Sequence, residues 1–105
     1  MKEEMLLEYL QQNCTGRENT RKSIVIERAL NIRRKELQKL VNRMRQEGIP
    51  IGSSKDGYFY AETAGEVYST IRQLRDMQNG LEKAIKGLER CLDSFEIHKG
   101  GGSAW

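Results

Sequence analysis

The chain is poor in the residues that build catalytic and metal centres. It has one histidine, His98, and two cysteines, Cys14 and Cys91, which lie far apart in sequence. A zinc site needs about four ligands, usually at close spacing. No metal and no other cofactor is therefore expected. A disulfide is not expected in a cytoplasmic protein, and both cysteines read as small apolar packing residues. There is no glycine-rich phosphate loop, no nucleophile elbow and no pair of carboxylates in a plausible pocket, so the chain is not expected to be an enzyme. No apolar run is long enough to span a membrane. The start, Met1-Lys2-Glu3-Glu4, puts acids where a secretory signal would begin. The expected location is the cytoplasm, with the nucleoid as the site of action.

Apolar bulk is also scarce. Of 105 residues, 37% are hydrophobic and 31% charged. That balance favours helices with one buried stripe over a thick core. The length suits one domain, or a small domain with an extension.

Charge is abundant and unevenly placed. From Cys14 to Lys55 there are eleven basic residues and four acidic ones, a balance of +7. The whole chain carries +3, so the remainder carries −4. A basic middle with acidic flanks points to an anionic partner for that middle alone.

Within it, Arg34 to Gln46 places Leu37, Leu40, Val41 and Met44 at offsets of three, four and seven. This is the narrow apolar stripe of an amphipathic helix. Around the stripe stand Arg33, Arg34, Lys35, Gln38, Lys39, Asn42, Arg43 and Arg45. Before it, Ala29-Leu30-Asn31-Ile32 ends one short helical pattern and enters the next, and Asn tolerates the left-handed backbone of a helix end. Two helices joined by three or four residues form a helix-turn-helix. Gly48 is a second helix stop. Ile49-Pro50-Ile51 and Tyr58-Phe59-Tyr60 then flank a polar stretch ending Asp56-Gly57, a hairpin signal. Pro50 fits only an edge or a strand start. One face of the second run must pack on the core, through Tyr58 and Tyr60 or through Phe59 alone.

Helix, turn, helix and hairpin in this order make a winged helix. The stretch resembles winged-helix DNA-binding domains of the biotin-operon-repressor type. The resemblance lies in Leu30-Asn31-Ile32-Arg33, in Leu37, Leu40, Val41, Met44 and Arg45 followed by Glu47-Gly48-Ile49, and in Gly57-Tyr58. The stretch is also similar to small phage-type winged-helix proteins. The likeness covers residues 1–61 and brings no catalytic ligase domain with it, so nothing about biotin carries over.

Three further elements follow from pattern. Glu3 to Gln12 reads as a first helix with Met5, Leu6, Tyr9 and Leu10 on its buried face and Leu7 off it. Ile24-Val25-Ile26 would be strand by propensity. The downstream turn requires a helix there, capped by Thr20 or Ser23 and buried through Ile24, Val25, Ala29 and Leu30. Thr63-Ala64-Gly65-Glu66 is a capping box that opens a long helix. Along it, Val67, Ile71, Leu74, Gln78, Leu81, Ile85, Leu88, Leu92 and Phe95 recur in steps of four and three, the repeat of a coiled coil. Asn79-Gly80 could instead be the corner of a helical hairpin, but the repeat keeps its phase across it. Residues 62–96 are read as a dimerisation helix and residues 97–105, with Lys99 to Ser103, as a flexible tail.

The expected fold is thus mainly α with a small β-hairpin, and the expected partners are duplex DNA and a second copy of the chain. Arg33, Arg34, Lys35, Gln38, Lys39, Asn42 and Arg43, with Lys55 at the wing tip, are the candidate DNA contacts. Arg34, Gln38 and Asn42 are spaced by four and share a face suited to base edges. Lys39, about 100° round the helix, suits a phosphate. The functions consistent with this are sequence-specific DNA binding by a transcriptional regulator or a phage-type factor. The alternative is a protein-interaction adaptor, which has no need of the basic segment.

Overall fold

The computed structural model describes residues 2–96, and the expected tail and His98 lie outside them. The chain is mainly α with a small antiparallel sheet. Helix α1 spans Lys2–Asn13, α2 Ser23–Leu30, α3 Arg34–Gln46 and α4 Ala64–Glu96. Strands β1 (Arg21–Lys22), β2 (Ile51–Ser54) and β3 (Gly57–Tyr60) form one sheet in the order β1-β3-β2. The chain divides into two compact units, the first ending at Ile71 and the second starting at Arg72. The opening of α4 therefore belongs to the first unit.

The core of the first unit gathers Leu6 and Leu10 of α1, Cys14, Ile26 of α2, Leu37, Leu40, Val41 and Met44 of α3, Ile51 and Phe59. The stripe expected on α3 is the one that is buried. Phe59 supplies the inner face of β3, while Tyr58 and Tyr60 stay half-buried. In the sheet register Gly52 faces Phe59. A Cβ on Gly52 would lie 2.3 Å from the Phe59 ring, so only glycine leaves room for that side chain.

Two helix faces differ from expectation. On α2, Ile26 is fully buried, while Ile24, Val25 and Ala29 are exposed and Leu30 is half-buried. Packing follows the turn geometry, and the Ile24-Val25 pair falls on the outer side. On α1, Met5 is exposed and Leu7 packs against the core, because Leu6 and Leu10 centre the buried face. Neither Thr20 nor Ser23 caps α2. Lys22 holds that position without a side-chain bond, because it belongs to β1. The Ser23 N–H instead donates to the Asp56 carbonyl at 3.0 Å. Cys14 is buried, but Cys91 is exposed on α4, so only the first fills the expected packing role.

The turns explain the path. Asn31 adopts φ 56°, ψ 49° at the end of α2, and the Ile32 N–H reaches back to the Glu27 carbonyl at 3.0 Å. Gly48 has φ 91°; its N–H bonds the Arg45 carbonyl, and the Ile49 N–H bonds that of Met44, a Schellman ending. In the hairpin the left-handed residue is Lys55, φ 56°. Gly57 lies in β3, where a Cβ would come within 2.3 Å of the Arg21 carbonyl oxygen. The close approach of β1 is what requires glycine there.

The capping box of α4 forms with an extension. The Glu66 N–H donates to Thr63 Oγ1 at 3.1 Å. The Glu66 carboxylate accepts from the backbone N–H of Glu62 at 2.7 Å and of Arg17 at 3.0 Å. These bonds, that from Arg17 first, hold its pKa below the usual glutamate range. Among the described residues the second unit is helix alone, continuous through Asn79-Gly80.

Candidate nucleic-acid interface

Helix α3 has a buried face, two occupied flanks and an open face. The buried residues recur at 37, 40, 41 and 44, so the opposite side must hold 35, 38, 39 and 42. Lys35, Gln38, Lys39 and Asn42 are indeed exposed. Arg34 is exposed beside them, and Arg33, extended at φ −90°, ψ 161°, precedes the first turn. None of Arg33, Arg34, Lys35 and Lys39 enters an ion pair among the described residues.

One flank meets α1. Lys2 Nζ pairs with Glu36. Arg43 Nη1 lies 3.1 Å from Glu3 Oε2. Both pairs are largely exposed, and such pairs contribute roughly 0–1 kcal/mol. A groove between α1 and α3 is lined by these four residues with Glu4, Arg33, Lys35, Lys39 and Leu40. Sequence reasoning missed this acidic border. The local signal was the pair Glu3 and Glu4 in the first turn of α1, but nothing local says that α1 abuts α3.

The other flank meets the sheet. Arg45 Nε donates to the Ile51 carbonyl at 2.8 Å and Nη2 to Ser53 Oγ at 3.3 Å. Its guanidinium lies over the Tyr58 ring, 5.9 Å from the centroid. Burial lowers the Arg45 pKa, and Tyr58 opposes that shift, yet an arginine stays charged at any ordinary pH. Arg45 therefore ties helix to sheet. Lys55 is exposed at the hairpin turn.

On α4, Val67 is half-buried against the core of the first unit, and Ile71, that unit's last residue, is 38% exposed. In the second unit Leu74, Gln78, Leu81, Ile85, Leu88 and Phe95 are exposed and Leu92 is half-buried. Met77, off that row, is exposed too.

Among the described residues no group of His, Cys, Asp and Glu could hold a metal, and no helix is long and apolar enough to cross a membrane. No protein-family model, curated protein or solved structure matches the chain.

Proposed function

We propose that the chain is a sequence-specific duplex-DNA-binding protein of the winged helix-turn-helix kind. In this reading it acts as a homodimer, as a transcriptional regulator or phage-type DNA-binding factor in the cytoplasm, at the nucleoid. The observation that carries the reading is the open face of α3. Lys35, Gln38, Lys39 and Asn42 project there without an ion pair, while both flanks are engaged elsewhere. Gln and Asn amides can bond adenine bidentately in the major groove, and Arg and Lys can bond guanine or a phosphate. Arg33 and Arg34 lie where the helix enters the groove, and Lys55 reaches backbone from the hairpin. Arg43 serves a phosphate at the margin, in exchange for its bond to Glu3.

The second unit supports the homodimer. Leu74, Leu81, Ile85, Leu88 and Phe95 are between 39% and 69% exposed. Withdrawing each from water is worth about 1 kcal/mol or more. Over two copies the gain is of the size of the cost of association, about 4–15 kcal/mol.

The test is a binding titration on selected and random duplexes at several salt concentrations. Affinity should fall with a log–log slope of about −0.9 per phosphate neutralised. Gln38→Ala should cost about 1–3 kcal/mol on the selected site and little on random DNA. Lys39→Ala should weaken both alike and reduce the slope by about one. Absence of binding to pooled duplexes at low salt would overturn the proposal. Equal losses for Gln38→Ala on both duplexes would remove base reading from this face.

A further inference from the structure

The exposed row on the second unit is not chemically uniform. Steps of four and three divide it into two ladders. One holds Leu74, Leu81, Leu88 and Phe95, and the other holds Gln78, Ile85 and Leu92. In heptad terms these are the d and a positions. Gln78 is the one amide in the row. In a single copy it is exposed, and covering the row would strip it of water.

What then faces Gln78 depends on the direction of the second helix. In a parallel, in-register pair identical positions meet, so Gln78 meets its own counterpart. A primary amide both donates and accepts, and two of them can satisfy each other. In any antiparallel pair an a position faces a d position. Gln78 would then face a leucine or Phe95, and a buried amide without a partner is costly.

The composition of the row points the same way. The antiparallel register that sets Leu74 opposite Leu92 sets Glu82 opposite its own counterpart but also Arg75 opposite Glu89 twice, so the charged flanks do not decide the direction. The parallel register sets Glu82 opposite Met77 and Glu89 opposite Ala84, with no like charges. Ile85 at an a position with leucines at d is also the combination that favours two parallel strands.

We propose, resting on the homodimer reading above, that α4 pairs with a second copy of itself in parallel and in register, with a Gln78–Gln78 layer fixing the alignment. Each first unit is joined to the N-terminal end of its own helix, so parallel pairing attaches both to the same end of the pair.

Cysteine cross-linking in the full chain tests this, in a Cys91→Ser background that leaves only the buried Cys14. Leu81→Cys and Leu88→Cys, each made singly, should both give reducible covalent dimers under mild oxidation. Asp76→Cys, off the row, should not. No antiparallel register can bring both position 81 and position 88 onto their own counterparts. Light scattering on the reduced proteins supplies the reference. A dimer by scattering without self-linkage at both positions overturns the parallel arrangement and leaves the homodimer standing. A monomer at tens of micromolar overturns both. As a variant that keeps the helix intact, Gln78→Leu should raise the thermal midpoint of the dimer and give mixed species by scattering. A lowered midpoint with a single species would overturn the role of the amide layer.

Discussion

Phe59 and Leu88 are both large apolar side chains on regular elements, yet Phe59 is 1% exposed and Leu88 69%. The first sits in a core built from three helices, a sheet and the start of a fourth helix. The second sits on the second unit's helix, where the apolar residues of the row other than Leu92 are exposed among the described residues. In the first unit, tertiary packing maintains the secondary structure. In the second, among the described residues, helicity rests on propensity and on an exposed Lys86–Glu82 pair at 3.9 Å. Lone helices draw little stability from propensity in water. On the dimer reading proposed above, the first region is stabilised within one chain and the second by a concentration-dependent pairing.

Breaking the first region should have the largest effect. Phe59→Ala should cost about 3–5 kcal/mol, enough to unfold a small domain, seen as a collapsed urea midpoint. Helical signal from α4 should persist at high protein concentration. In the second region, Gly80 and Gly87 weaken the helix without a packing reason. A Cβ on Gly80 meets nothing within 4 Å, and one on Gly87 meets only Arg90 Nη2 at 3.8 Å. Gly80→Ala and Gly87→Ala should each add about 1 kcal/mol of helix stability, read as higher helicity in dilute solution by circular dichroism. Leu88→Ala should change the stability of the first unit in urea unfolding by no more than about 0.5 kcal/mol, while weakening self-association in sedimentation equilibrium. A large loss of first-unit stability would mean the two regions are not independent.

The smallest effect concerns the junction of α4 with the first unit. The Glu66 carboxylate has a lowered pKa when folded. Its bonds to the Arg17 and Glu62 N–H groups therefore contribute fully above the ordinary glutamate range. Their contribution fades as the pH drops through the lower folded value. Glu66→Gln should flatten this part of the pH–stability curve, measured by thermal melts from neutral to acidic pH. An unchanged acid limb would remove Glu66 from the account.

Much of the fold was legible because its signals are local. The α3 stripe is set by spacing, the Asn31 and Gly48 endings by backbone chemistry, and the α4 start by Thr63 and Glu66. The continuous α4 was legible from the unbroken phase across Gly80. Strand β1 was not, since Arg21-Lys22 has no strand pattern and is ordered by pairing with Gly57 and Tyr58. Ile26 was passed over in favour of its neighbours because three β-branched or apolar residues in a row hide the helical phase. At the candidate interface, exposure of the basic and amide residues could be read from the stripe. The Glu3–Arg43 and Lys2–Glu36 pairs could not, because they join residues 40 and 34 positions apart.

Strand β2 is an edge of the sheet, and three of its outward backbone groups are engaged at their ladder positions. The Ile51 N–H donates to the Ile49 carbonyl, the Ile51 carbonyl accepts from Arg45, and the Ser53 N–H donates to Thr70 Oγ1 at 3.2 Å. An uncovered strand edge is a template for other strands. Seen this way, Thr70 and Arg45 are guards against aggregation. A chain ending at Ala61 would lose the Thr70 hydroxyl, and its failure would be intermolecular: strand-to-strand assembly that grows with concentration, in addition to any loss of folding stability.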